Sequence, residues 1–354
     1  MRNNFGLLRV LFATAVLITH AHVLSGDTGG DLLQRATGNQ AAFSWLAVRG
    51  FFVISGFLVY RSFERSSGAV DFLQRRVRRL WPALIALVLV TVFTIGPIAT
   101  VHNPTHYFSN GATWRYAAMP MTIMLGHVPY DLPGVFADVP HPGIVNGSLW
   151  TIAYEIFFYM ATAGLFLLKR SATAPRIVVV GAFMVCLVLR TAVDHGILHL
   201  GGGVRLTAFT WWSIADMGVF YSAGCVMAAW PIGARVPMKS LLVFTLASVM
   251  LTMRLRVYPA AEGFLLPLLV ISAAHTPIGS GARAATVDIS YGTYLWGYPI
   301  QQMLMTAHAW TPLELAVLSA PLAWAAGWLS WRMVERHFLV HRQLGPVRVD
   351  SPQA

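Results

Sequence analysis

Apolar stretches of about 17–25 residues, long enough to cross a bilayer as a helix, recur along the whole chain, and that recurrence sets its class. They lie near 5–24, 44–62, 80–100, 148–168, 176–193, 208–230, 239–255, 262–278, 288–306 and 313–333. Of the 354 residues, 56% are hydrophobic and 11% charged, against about 25% charged in a soluble domain. The spacing predicts an all-α integral membrane protein, a bundle of about ten transmembrane helices. The piece 114–127, WRYAAMPMTIMLGH, is short and interrupted by proline, so it is expected to be re-entrant or interfacial.

Basic residues set the expected orientation. The connection 61–79 holds Arg61, Arg65, Arg75, Arg76, Arg78 and Arg79; later come Lys169, Arg170 and Arg176, then Arg235 and Lys239, then Arg283, then the tail from Arg332 to Arg348. With ten spans these all fall on the side of Arg2. Short cytoplasmic loops are the ones enriched in Lys and Arg, so both termini are expected in the cytoplasm and the connections 101–147 and 194–207 outside. Arg254 and Arg256 fit this least well. The expected organisation is one transmembrane domain over 1–340 and a short cytoplasmic tail over 341–354. The apolar start is too long for a signal peptide and carries Arg9 and His20, so it reads as a retained helix.

The net charge of +11 matches this loop bias together with contact to lipid headgroups or an anionic ligand. Nucleic-acid binding would need a basic, solvent-exposed domain, and no stretch is polar enough to build one. Cys186 and Cys225 both sit in apolar spans, so neither a disulfide framework nor a cysteine metal site is expected.

Within the first apolar stretch, FGLLRVLFATAVLITHAHVL, Arg9 and His20 are eleven residues apart. That is close to three helical turns, so both point to one face roughly 16 Å apart along the axis. Ionisable groups inside a span are costly unless they face the bundle interior or water, and they are functional-site candidates by default. The plainer reading lets Arg9 snorkel to the headgroups and gives His20 a core hydrogen bond. His22 is turned about 200° from His20 and reads first as an interfacial histidine.

Five patterns follow in order: Arg9-x10-His20, GFFVISGFLVYRSF (50–63), FLQRRVRRLWP (72–82), NGSLWTIAYEIFFY (146–159), and SYGTYLWGYP (290–299) with RMVERHF (332–338). Together they resemble the acyltransferase-3 family of bacterial inner-membrane proteins, which includes O-acetylases of lipopolysaccharide, exopolysaccharide and nodulation factors. The resemblance spans nearly the whole chain. It implies transfer of an acyl group, usually acetyl from acetyl-CoA, to a hydroxyl of an extracytoplasmic carbohydrate or glycolipid, with no metal. The family's R-x10-H pattern falls on Arg9 and His20, its RxxR on Arg76 and Arg79, and its W-x4-E on Trp150 and Glu155.

Chemistry agrees with that placement. An alcohol attacks a thioester poorly unless a base takes its proton, and an imidazole titrates in the useful range. Glu155 enters span four at a matching depth, where it either orients His20 or neutralises an arginine such as Arg9 or Arg49. Arg75, Arg76, Arg78 and Arg79 serve either topology and headgroup contact or the phosphates of coenzyme A, for which guanidinium forks are suited. Arg9 would extend that anion site inward. Asn146, Ser148, Trp150 and Tyr154 are candidates for the oxyanion or substrate contacts. Ser55 and Gly56 read as close packing; Tyr291, Tyr294 and Trp296 line a channel or face lipid.

Three departures from the family stand out. Arg49 occupies a place often acidic, YLWHWP reads YLWGYP through Gly297 and Tyr298, and VERP reads VERH through His337. The competing class is a glycan or lipid-intermediate transporter or flippase, since intramembrane charges also mark transport pathways. Transporters commonly carry paired repeats, and no internal repeat is visible.

Overall fold

The computed structural model describes residues 3–199, 209–230, 236–276 and 287–338. Arg2, Arg235, Arg283, positions 200–207 of the connection 194–207 and everything from 339 on, including the expected tail 341–354, lie outside the described residues. The described residues are helical with no named strand; a single antiparallel bridge joins Thr100 to Val135.

The long helices are α1 (Phe5–Leu24), α2 (Phe43–Arg65), α3 (Ala69–Val90), α4 (Trp150–Gly164), α5 (Ala174–Asp194), α6 (Trp211–Ala229), α7 (Met238–Arg254), α8 (Tyr258–His275), α9 (Ser290–Ala307) and α10 (Pro312–Ser330). Six of the described helical stretches are long and apolar enough to cross a membrane. They are α1, α2, α3 with its continuation to Ala99, α4 with its continuation to Leu168, α5, and α10 with its continuation to Phe338.

The third helix corrects the sequence reading. It begins at Ala69, not near residue 80, so the arginine cluster lies on a helix and not in a loop. An apolar window registers charge, whereas the backbone does not, and arginine is a good helix former. Asp71 in the first turn pairs with Arg75 one turn on at 2.9 Å. Phe72 and Leu80 are buried on one face, while Arg75 and Arg78 are exposed on the other.

The segment around 114–127 breaks into short pieces: Pro104–Ser109, Gly111–Ala117, Met119–Thr122 and Ile123–Leu125. Asn103 and Asn110 cap the first two by accepting backbone N–H groups of His106 and Ala112. Gly126, at φ 76°, closes the run. None of these pieces has spanning length.

Helix α2 occupies the centre, packed by α1, α4, α6 and α8. Its contact with α6 is backbone on backbone. A Cβ on Gly56 would lie 1.9 Å from the Tyr221 carbonyl oxygen, and one on Gly224 would lie 2.2 Å from that of Val53. Close packing at Gly56 is thus what small residues permit here. On the far side of α1, helices α9 and α10 complete the wall.

Toward the Phe43 end of α2 sits a closed ionic knot. Arg49 reaches Asp216 at 3.1 Å and Glu262 at 2.8 Å, and Arg190 reaches the same two carboxylates at 3.1 and 2.9 Å. Asp216 and Glu262 are each 1% exposed. Two cations and two anions cancel, which is what burial at this depth requires.

Candidate active site

A cleft of about 120 Å³ opens among α1, α2, α3, α4 and α9. Its polar end holds Arg9, Arg76, Arg79, Glu155 and Tyr159; Val48, Phe51 and Leu58 make much of the rest apolar. Arg76 and Arg79 share a face of α3 because three residues separate them. Arg79 donates to Asp288 at 2.5 Å, and Arg9 meets the same carboxylate at 2.9 Å. Glu335 lies 4.0 Å from Arg79 and accepts from the Ser330 hydroxyl at 3.0 Å.

Arg76 is placed differently. It donates to the Ser62 hydroxyl at 3.3 Å and lies over the rings of Tyr159 and Phe72, at 5.7 and 5.9 Å from their centroids. The Nε groups of Arg9 and Arg76 are buried without a hydrogen-bond acceptor from the protein. Open guanidinium donors at the head of a cleft are the kind of group that pairs with an anion. Arg75 does not join them; it is exposed and paired with Asp71.

Glu155 accepts hydrogen bonds from Ser55 at 3.4 Å and from the Tyr159 hydroxyl. It shares the cleft with Arg9, while Arg49 is engaged in the ionic knot. No hydrogen bond joins Glu155 to His20 among the described residues. His20 instead packs edge-on against Tyr298 of α9, ring centroids 5.1 Å apart. His22 is paired with Asp27 at 2.7 Å. That hydrogen bond, with another from the Gly29 N–H and the charge of Arg35, holds the exposed Asp27 carboxyl below its ordinary range.

The turn Asn146–Ser148 closes over the His20 neighbourhood. The Asn146 amide donates to the Leu295 carbonyl at 2.9 Å, and its oxygen accepts from the Ser148 N–H at 3.1 Å. A Cβ on Gly147 would meet the Tyr298 ring at 2.7 Å, so only glycine lets the turn sit this close. The Ser148 hydroxyl is buried and unpartnered, while its carbonyl accepts from Tyr294 at 3.0 Å. Trp150 packs edge-on against Tyr154 and does not line the cleft. Tyr291 does; its hydroxyl donates to the Leu80 carbonyl at 3.1 Å and its ring lies under Arg79.

Arg9 and His20 therefore look at the same neighbour. Arg9 meets residue 288 just before α9, and His20 meets residue 298 within it, so the two helices run parallel and the stripe on α1 faces the interior. Between the two levels, Phe51 and Tyr294 stand edge to face at 5.7 Å where the cleft ends. Asp288, Glu335 and Tyr159 are not singled out by the sequence, and Tyr298 enters there only as a departure from the family pattern. An acidic residue at the very start of an apolar span was the available signal for Asp288. Among the described residues no group of three or more His, Cys, Asp or Glu side chains is arranged to hold a metal ion.

The comparisons converge. The acyltransferase-3 profile, an acyltransferase domain, matches residues 2–331. An O-acetyl transferase of Shigella phage Sf6 is 25% identical, the alignment covering 95% of this chain and 96% of that protein. Nodulation protein 10 of Rhizobium leguminosarum bv. viciae is 26% identical over 95% of this chain and 92% of that protein. No solved structure matches.

Proposed function

The chain belongs to the acyltransferase-3 family, and from that premise we propose that it is an O-acyltransferase of the bacterial inner membrane, moving acetyl from cytoplasmic acetyl-CoA to a hydroxyl of an extracytoplasmic carbohydrate or glycolipid. The name of the phage relative, an O-acetyl transferase, supports an acetyl group; the carbohydrate acceptor rests on the family resemblance. In this reading ten spans leave both termini in the cytoplasm and the segment 114–127 lies at the outer interface.

The single observation that carries the mechanism is the α1 stripe: a cation at the head of a cleft and a histidine about three turns beyond it, both turned to α9. The donor's anionic part rests at the end where Arg76, Arg79 and Arg9 meet, and its acyl-bearing arm extends past Tyr294. His20 takes the proton as the acceptor oxygen attacks the thioester carbonyl. The tetrahedral oxyanion forms beside the Asn146–Ser148 turn, where the Ser148 hydroxyl is free to donate to it. Collapse expels the coenzyme thiolate, which takes up a proton, and the ester remains on the acceptor. Glu155 and Tyr159 shape the donor's side of the cleft and leave the histidine unpaired.

The test is the acylation of surface glycans by mass spectrometry in a strain lacking the chain, complemented by the native form or by His20→Ala. Ester content should vanish on deletion and return only with the native form. Restoration by His20→Ala removes the proposed base, and an unaltered ester pattern in the deletion strain removes the proposed reaction.

A further inference from the structure

The RxxR pattern treats Arg76 and Arg79 as equals, but their surroundings are opposite. Arg79 has two carboxylates in reach, Asp288 at 2.5 Å and Glu335 at 4.0 Å. Asp288 is shared with Arg9 at 2.9 Å and steadied by the Ser290 hydroxyl at 2.6 Å. A donor phosphate could take Arg79 only by breaking its pair with Asp288, which would keep Arg9 alone, and by leaving the buried Glu335 without its cation, and removing one partner of a buried ion pair is strongly unfavourable.

Among the described residues no carboxylate pairs with Arg76. Of its five N–H donors, one is used, toward the Ser62 hydroxyl at 3.3 Å. Its Nε is buried without an acceptor, and its plane is held by the faces of Tyr159 and Phe72. That is a guanidinium kept in position by π-contacts with its donors left open.

Resting on the acyl-CoA reading above, we infer that Arg76 is the donor-binding arginine of the pair, and that Asp288 is a positioning residue which ties Arg79 to Arg9 and so fixes α3 against α1 beside it. The ligand class is the phosphate of a coenzyme A thioester. Asp288 joins the start of α9, the base of α1 and the middle of α3 at one carboxylate. The cleft thus keeps its shape when no anion fills it.

Charge rescue separates the two roles. In detergent-solubilised full-length protein, acetyl-CoA is titrated calorimetrically against Arg76→Gln, Arg79→Gln, Asp288→Asn and the double variant Arg79→Gln/Asp288→Asn, with thermal midpoints read alongside. Arg76→Gln should weaken acetyl-CoA binding by about tenfold or more, the loss of a charged hydrogen bond, at an unchanged midpoint. Arg79→Gln should lower the midpoint by leaving Asp288 and Glu335 to face Arg9 alone, and the double variant should recover both the midpoint and most of the affinity, because it removes the excess carboxylate. If the double variant folds yet binds as poorly as Arg79→Gln, or if Arg76→Gln binds like the native protein while Arg79→Gln does not, the division of labour is wrong and the donor reading stands. If all four bind like the native protein, the donor reading itself falls. Should Arg79→Gln fail to fold, Arg76→Gln and the double variant still decide the matter.

Discussion

His20 is the residue on which the proposed chemistry turns, and the absence of a carboxylate partner for it among the described residues has a kinetic signature. Without an acidic partner fixing one ring nitrogen, its orientation comes from the Tyr298 ring. His20→Ala should reduce turnover by about 10²–10⁴-fold, the usual worth of a general base, while acetyl-CoA binding measured by titration stays within about threefold. Equal loss of binding and turnover would mean the side chain holds the site together and does not take a proton. The ionic knot makes a second residue-scale case. Replacing Glu262 by glutamine leaves two arginines facing one carboxylate, Asp216, at 1% exposure. Removing one partner of a buried pair costs roughly 3–5 kcal/mol, so Glu262→Gln should lower the unfolding midpoint in detergent far more than Asp194→Asn, whose carboxylate lies 3.7 Å from Arg190 and is 43% exposed.

Among elements, the α2–α6 contact leaves no room for a side chain. With a Cβ on Gly56 only 1.9 Å from the Tyr221 oxygen, Gly56→Leu forces the helices apart. Overpacking of this kind costs roughly 1–3 kcal/mol or more, and should show as a lower thermal midpoint and reduced membrane accumulation, whereas Gly164→Ala, with nothing within 4 Å, should be tolerated. This contact was legible from the sequence, since a small residue in an apolar span has few other uses. So were the helical class and the α1 stripe, because the helical repeat alone places Arg9 and His20 together. What the sequence hid were partners supplied from afar. Asp288 is 279 residues from Arg9 in number yet 2.9 Å away in space, and nothing local to either announces the pairing. Asp216 and Glu262 sat inside apolar spans, where acidic groups demand partners, and that signal was there to be read. Hydropathy windows do not register a polar helix extension, so from sequence the arginines at 75–79 read as a loop although they lie on α3.

For the whole molecule, the proposed orientation predicts accessibility. In a background with Cys186 and Cys225 replaced by serine, a cysteine at the exposed Asp138 should react with impermeant thiol reagents in intact cells. One at Arg170 should react only after permeabilisation, and the reverse pattern would invert the bundle. Acid stability follows from a carboxyl outside the helices. Asp27 titrates lower in the folded chain than in the unfolded one. Its stabilisation is therefore complete above the unfolded carboxylate range, near pH 4, and is lost as pH falls through the lower folded value. The midpoint should drop on acidification below about pH 4, and Asp27→Asn should flatten that drop. The pairing of α1 with α9 also imposes an order on manufacture. During synthesis Arg9 leaves the ribosome 279 residues ahead of its counter-ion. The nascent chain must carry that cation uncompensated while the intervening helices insert, and the proposed donor groove is sewn shut only when α9 arrives.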